Sequence, residues 1–192
     1  GKEEILLRRI GRNELTALRI ADIYSDAQVA YASQDRDGDE VHEYAQRILS
    51  SPGKHDGLYW ESAASDPEHM SPLGPSVITL AEYLQSDDKS AVPFNGYYWK
   101  ILKGQGENAP GGAHSYVING NMITGFALVG VPAAYRSTGI MTFIVSHHGD
   151  VFEKDLGENG IETVAAMDTF DPDESWKVVD LTGELAAEEA VE

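Results

Sequence analysis

The stretch from Gly96 to Gly157 constrains the fold of this chain more than any other part of its sequence. It is a run of segments rich in aromatic and β-branched residues, which Gly, Pro and Asn-Gly turns separate: GYYWKILK, HSYVI, MITGFALVGV, GIMTFIVS and DVFEKDL. Such a succession of strand-forming segments and turn residues is typical of an antiparallel sheet. We therefore expect strands over residues 96–103, 115–118, 122–131, 140–146 and 151–156.

Two hairpin turns are predicted within this stretch. The dipeptide Asn119-Gly120 supplies the two positions of positive φ that a tight two-residue turn requires. A second hairpin is expected where the four residues from His147 to Asp150 separate two apolar segments. Pro132 is expected to end the central strand, because proline cannot donate to the ladder.

Helices are expected before the sheet. Residues 13–33 carry apolar side chains at helical spacing, and Asn13 is a suitable N-cap. Shorter helices are expected over 42–50, 76–85 and 161–167. A helix followed by strands predicts an α+β fold, in which a long N-terminal helix packs on an antiparallel sheet of four or more strands. We divide the chain into an extension (1–12), a single α+β domain (13–179) with an insert at about 62–94 over one sheet edge, and an acidic tail (180–192).

The charge of the chain excludes several classes of function. Its 32 acidic residues against 14 basic ones give a net charge of −18. A surface this acidic repels phosphate, so nucleic-acid binding is not expected. The absence of cysteine excludes disulfides, thiol catalysis and cysteine-ligated zinc. No segment reaches the about 20 apolar residues of a membrane span. No signal peptide is visible, but the chain starts at Gly1 rather than at Met, so we expect a form from which an export signal was removed.

A calcium site is one hypothesis for the acidic turn DRDGD. Alternating Asp35, Asp37 and Asp39 would converge on one point, and hard carboxylate oxygens suit Ca²⁺. The glycine and glutamate of an EF-hand loop are absent, because the sixth and twelfth positions hold Glu40 and Gln46. Glu43 would substitute as a ligand in a shorter loop. The alternative is a solvated acidic turn.

Two further polar groups have a structural and a functional interpretation. Lys54, His55 and Asp56 lie in a loop bounded by glycines, and in a cleft they would serve as general acid and base. Without a nucleophile in a defined setting, they are polar residues of a turn. His147, His148 and Asp150 would form a metal or acid–base site only if the turn brought the two imidazoles together. Otherwise they form an exposed hairpin tip.

The aromatic residues are numerous enough to serve both the core and a binding surface. Tyrosine and tryptophan favour half-wet surfaces, where flat rings meet ligands such as carbohydrates. Trp60, Tyr98 and Trp99 are the candidates for a ligand groove.

Four phrases of the sequence carry a resemblance to a known family. They are EYAQRILSSPGKHDGLYW, NGYYWKILKGQGENAPGGAHSYVINGNMITGFALVGVPAAY, GIMTFIVSHHGDVFEKDLG and FDPDESW. Over residues 15–179 the chain resembles the bacterial, predominantly exported family named domain of unknown function 2950. The resemblance implies an extracytoplasmic location and carries no activity. The long helix, the acidic turn and the pattern G-Y-x-[YFW]-x-[IL] also look like the globular part of type IV pilins and pseudopilins.

These observations favour an exported scaffold or binding module, pilin-like in construction, in the periplasm or outside the cell. We expect an unidentified protein partner in the cell envelope and calcium as a structural ligand. The alternative is a periplasmic hydrolase that uses the loop of Lys54, His55 and Asp56.

Overall fold

The computed structural model describes residues 1–60, 70–74 and 93–183. The expected helix over 76–85, most of the expected insert and the tail beyond residue 183 lie outside the described residues. The elements are the helix α1 and the strands β1 to β9, with a 3₁₀ turn and the short helix α2 between β8 and β9. Their bounds are α1 Lys2–Ala32, β1 Tyr97–Leu102, β2 Gly104–Gln105, β3 His114–Ser115, β4 Val117–Ile118, β5 Asn121–Met122, β6 Ala127–Pro132, β7 Met141–Ser146, β8 Val151–Asp155, the 3₁₀ turn Gly157–Asn159, α2 Gly160–Ala165 and β9 Lys177–Val178.

The main sheet confirms the α+β prediction. Its five antiparallel strands lie in the order β1-β6-β7-β8-β9, and β2-β3 and β4-β5 form two small ribbons. The expected strand over 122–131 is divided, because β5 ends at Met122 and β6 begins at Ala127. Both predicted hairpins are present, and Asn119 and Gly120 have φ of 53° and 95°.

The helix α1 packs against β6 and β7. The Tyr24 hydroxyl donates to the carbonyl of Ala127 at 3.2 Å, and the Glu14 carboxylate accepts from the backbone N–H groups of Ile140 and Met141 at 2.8 and 3.0 Å. The helix runs without interruption from Lys2, so the prediction of Asn13 as its N-cap is wrong. Asn13 instead donates to the carbonyl of Thr138 at 2.7 Å and ties the middle of the helix to the β6–β7 connection.

Helix α2 is held to the main sheet by Lys100. Cross-strand partners share a face of an antiparallel sheet, so Lys100 and Val129 lie on one face and Trp99 and Gly130 on the other. The Lys100 ammonium donates to the carbonyls at the end of α2, at distances of 3.4 Å to Val164, 2.9 Å to Ala165 and 2.6 Å to Met167. This contact satisfies carbonyls that have no partner within the helix.

The segment from His42 to Ser50 is extended, so the prediction of a helix there is wrong. Its backbone bonds to other parts of the protein instead of to itself. Tyr44 N–H donates to the Met122 carbonyl at 2.7 Å, and Ala45 N–H donates to the Gln28 side-chain oxygen at 2.8 Å. Leu49 forms a parallel bridge with Tyr59. Tertiary partners therefore replace the helical ladder over these residues.

Candidate functional site

The acidic turn follows directly after α1, and its own backbone determines its shape. The Asp35 carboxylate accepts the N–H groups of Gly38 at 2.8 Å, Glu40 at 2.9 Å and Asp37 at 3.3 Å. These hydrogen bonds, that from Gly38 above all, lower the pKa of Asp35. Gly38 has φ of 81°, which glycine adopts without a steric cost. As predicted from their spacing, Asp35, Asp37 and Asp39 converge, with one oxygen of each within 4.8 Å of the others.

Two carboxylates connect the turn to the β4–β5 hairpin. The Asp39 carboxylate accepts from the Asn121 side-chain amide at 2.7 Å, and the Glu43 carboxylate accepts from Met122 N–H at 3.1 Å. Burial raises the pKa of Glu43 and outweighs the Met122 hydrogen bond, while the charges of Asp37 and Asp39 raise it further. Glu43 is thus a half-buried carboxylate close to other negative charges.

An open cavity of about 290 Å³ lies between the end of α1, the extended segment and the hairpin. We call it the acidic cleft. Three acidic side chains, two basic ones, two tyrosines and three other residues surround it. They are Asp37, Glu43, Asp56, Arg47, Lys103, Tyr31, Tyr44, Gln46, Gly120 and Asn121.

The charges around the acidic cleft are only partly matched. Arg47 lies 3.7 Å from Asp56, and the Lys103 ammonium donates to the Gln46 side chain at 3.2 Å. Among the residues that the structure describes, neither Asp37 nor Glu43 forms an ion pair with a lysine or arginine. The acidic cleft therefore has a free carboxylate pair on one wall.

Tyr31 forms an uncharged part of the wall. Its hydroxyl donates to the His55 carbonyl at 3.1 Å. Burial, together with the nearby charge of Glu43, raises the pKa of Tyr31 to about 12. The phenol is therefore protonated at any physiological pH and acts as a donor.

The structure separates the functional groups of Lys54, His55 and Asp56. Asp56 accepts from the N–H of Ser51 at 2.6 Å and its hydroxyl at 2.8 Å, and it lines the acidic cleft. The His55 ring stacks on Trp60 with ring centroids 4.3 Å apart, and Lys54 is exposed. Within the described ranges, no hydrogen bond joins the three side chains. Their geometry is that of a turn with three different attachments.

The three aromatic candidates have different surroundings. Trp60 is 8% exposed, and its ring lies against His55 and the Arg36 guanidinium. The Trp99 ring covers Gly130, where a Cβ would lie 2.4 Å from it. Tyr98 follows on the opposite face of β1. None of the three lines the acidic cleft.

Sequence reasoning missed several residues of the acidic cleft. Gln46 and Arg47 were assigned to a helix, and Lys103 stands at the end of a predicted strand. Tyr31 was assigned to the core because of its helical spacing. No local pattern marks these residues, since they meet only where distant segments come together.

The comparisons with known proteins give a family and no activity. A family model described as protein of unknown function (DUF2950) matches residues 1–179. The chain belongs to this family. No curated protein matches the chain as a relative. Within the described residues, no helix combines the length and the apolar character that a membrane span requires. The likeness to pilins stays a prediction.

Proposed function

We propose that this DUF2950 protein is an extracytoplasmic binding module, and that its acidic cleft binds a small ligand with a positive charge. The observation that carries this proposal is the unpaired carboxylates of Asp37 and Glu43 beside an open cavity of about 290 Å³. A ligand ammonium or guanidinium group would supply the missing counter-charge. Location outside the cytoplasm is supported by the resemblance to an exported family.

The physical chemistry of the acidic cleft favours an organic cation. Two unit charges about 4 Å apart attract by about 4 kcal/mol at an effective dielectric constant of about 20, before any cost of desolvation. The rings of Tyr31 and Tyr44 in the wall add surfaces on which cations bind favourably. A primary amine with a short carbon chain fits both features, because its charge meets the carboxylates and its methylene groups meet the rings.

A thermal-shift series with organic cations tests the proposal. We expect diamines, lysine amide and arginine amide to raise the melting temperature of the protein at constant ionic strength, and sodium or neutral amides to leave it unchanged. Glu43→Gln should weaken this response about tenfold or more, as expected when one close charge pair worth over 1.4 kcal/mol is lost. Asp26→Asn is the matched control, because Asp26 is exposed on α1 and does not line the acidic cleft.

The contrary result is equally clear. If Glu43→Gln and Asp26→Asn respond to the cations as the unchanged protein does, the acidic surface binds them without a site. That result would overturn the proposal.

Calcium is a second candidate ligand, supported by the convergence of Asp35, Asp37 and Asp39 within 4.8 Å. Oxygen ligands in this arrangement suit Ca²⁺, although the oxygens of Asp35 already accept backbone N–H groups. Calorimetric titration should show one saturable Ca²⁺ site that Asp37→Asn weakens and Asp26→Asn does not. The absence of heat at millimolar Ca²⁺ would remove this candidate.

The proposed location has its own test. Fractionation of the native bacterium should recover the protein with periplasmic or extracellular markers. Recovery with cytoplasmic markers alone would contradict this part of the proposal and leave the ligand measurements unaffected.

A further inference from the structure

Three histidines lie together at a place remote in sequence from the acidic turn. His147 and His148 form the β7–β8 turn, and His114 lies in β3. The ring centroids of His147 and His148 are 4.1 Å apart, so the turn brings together two imidazoles that an extended chain would direct apart. The Tyr116 ring packs edge-on against both His147, at 5.4 Å, and His114, at 5.6 Å. One aromatic ring thus connects the two parts of the cluster.

The hydrogen bonds of the cluster determine which ring nitrogens are free. His114 Nδ1 lies 3.2 Å from the Gly112 carbonyl, so geometry assigns the proton to Nδ1 and leaves the lone pair on Nε2. This is the arrangement in which proteins commonly hold a metal-binding histidine, with the second ring nitrogen bonded to a carbonyl. His114 is exposed and its Nε2 is therefore open to an ion.

His147 is held in place by packing. Its Nδ1 is buried without a hydrogen-bond partner, and a Cβ on Gly125 would lie 2.6 Å from it. Whichever nitrogen holds the proton, Nε2 therefore carries the accessible bonding capacity of this ring. Burial, then the neighbouring His148 and His114, lower the pKa of His147. The ring is thus neutral at neutral pH, which is the form that binds metals.

We propose that His147 and His148, completed by His114, bind a divalent transition-metal ion of the Zn²⁺, Ni²⁺ and Cu²⁺ class. Neutral imidazoles suit these ions, and three of them with a water in the fourth position form a recurrent zinc coordination. The exposed rings of His114 and His148 can rotate toward the fixed ring of His147. The bound ion would join the β2–β3 ribbon to the β7–β8 turn of the main sheet.

Calorimetric titration with ZnCl₂ in excess Ca²⁺ tests the site, because Ca²⁺ occupies the carboxylates of the acidic turn. We expect one saturable Zn²⁺ site and a rise in melting temperature upon binding. His148→Ala and His114→Ala should each weaken binding about tenfold or more, the order expected when metal coordination is disturbed. His42→Ala is the matched control, since His42 is exposed and bonds to the Ala32 carbonyl at the end of α1.

Three results would overturn the proposal: no saturable site, a loss shared by His42→Ala, or unchanged binding in either cluster variant. A measurement on the unchanged protein decides the matter if a variant fails to fold. Substoichiometric Cu²⁺ should broaden the ring proton resonances of His114, His147 and His148 before those of the other three histidines. Uniform broadening of all six histidines would contradict the site.

Discussion

At the residue scale, one buried glutamine organises the region around the acidic cleft. Gln28 is fully buried, and its side-chain amide donates to the Tyr24 hydroxyl and the Ala45 carbonyl, both at 2.9 Å. Its oxygen accepts from Ala45 N–H at 2.8 Å. Every polar atom of this side chain has a partner, which is the condition under which a buried polar group does not destabilise the fold. Gln28 therefore attaches the extended segment to α1.

We predict that Gln28→Ala lowers the free energy of unfolding by about 3 kcal/mol. The substitution leaves the N–H and carbonyl of Ala45 without partners and opens a cavity beside Tyr24. Denaturant unfolding measures the change, and the exposed Gln34→Ala is the control. A loss no larger than that of the control would show that water replaces the glutamine at no cost.

Glu43 and Asp56 should change stability with pH in opposite directions. Burial raises the pKa of Glu43 in the folded protein, so its contribution is present at low pH and is lost as the pH rises through the folded value. We therefore expect Glu43→Gln to gain stability relative to the unchanged protein as the pH rises from 4 to 7. Unfolding curves across this range measure the difference, and a difference independent of pH would contradict the prediction.

Asp56 gives the opposite sign. Burial alone would raise its pKa, but the hydrogen bonds from Ser51 and the charge of Arg47 outweigh burial and lower it. Its contribution is therefore present above the ordinary pKa of an aspartate and is lost as the pH falls through the lower folded value. Asp56→Asn should cost stability at neutral pH and cost little in strong acid. Equal losses at both pH values would show that the pKa of Asp56 is not lowered by folding.

At the element scale, Lys100 decides whether the short helix α2 stays on the sheet. A helix of six residues is not stable alone, and the Lys100 ammonium satisfies the carbonyls at its end. We predict that Lys100→Met lowers the free energy of unfolding by about 1–2 kcal/mol, the scale of a hydrogen bond to a charged group. Amide exchange should accelerate within α2 and stay unchanged in β7. The exposed Lys177→Met is the control, and equal exchange in both variants would contradict this role.

The elements that sequence predicts best are those whose determinants are local. Asn119-Gly120 sets a turn by its own backbone preferences, and the β7–β8 hairpin follows from two apolar segments around a short loop. The extended segment was predicted wrongly because its conformation depends on Gln28 and Met122, which lie far from it in sequence. Its residues have helical propensity, and tertiary hydrogen bonds override that propensity.

At the scale of the whole molecule, the same division separates the fold from the acidic cleft. A long helix followed by alternating strands is enough to predict α+β architecture, because each element must bury its apolar side on another. The acidic cleft was only partly predictable. The convergence of Asp35, Asp37 and Asp39 follows from their spacing, whereas Tyr31, Arg47 and Lys103 meet them only through the folded chain.

A net charge of −18 makes unspecific attraction of cations the main rival to a defined site. Long-range attraction weakens over about 8 Å at physiological ionic strength, whereas partly buried charge pairs are screened less. Binding in the acidic cleft should therefore persist at physiological salt, and binding to the general surface should not.

A titration of isotopically labelled protein with a short diamine at physiological ionic strength tests the central claim most directly. The account predicts saturating amide shifts that cluster at Tyr31, Glu43, Gln46, Asp56 and Asn121 and that Glu43→Gln abolishes. Shifts that fail to saturate, or that spread evenly over the acidic residues of α1 and the sheet, would contradict it.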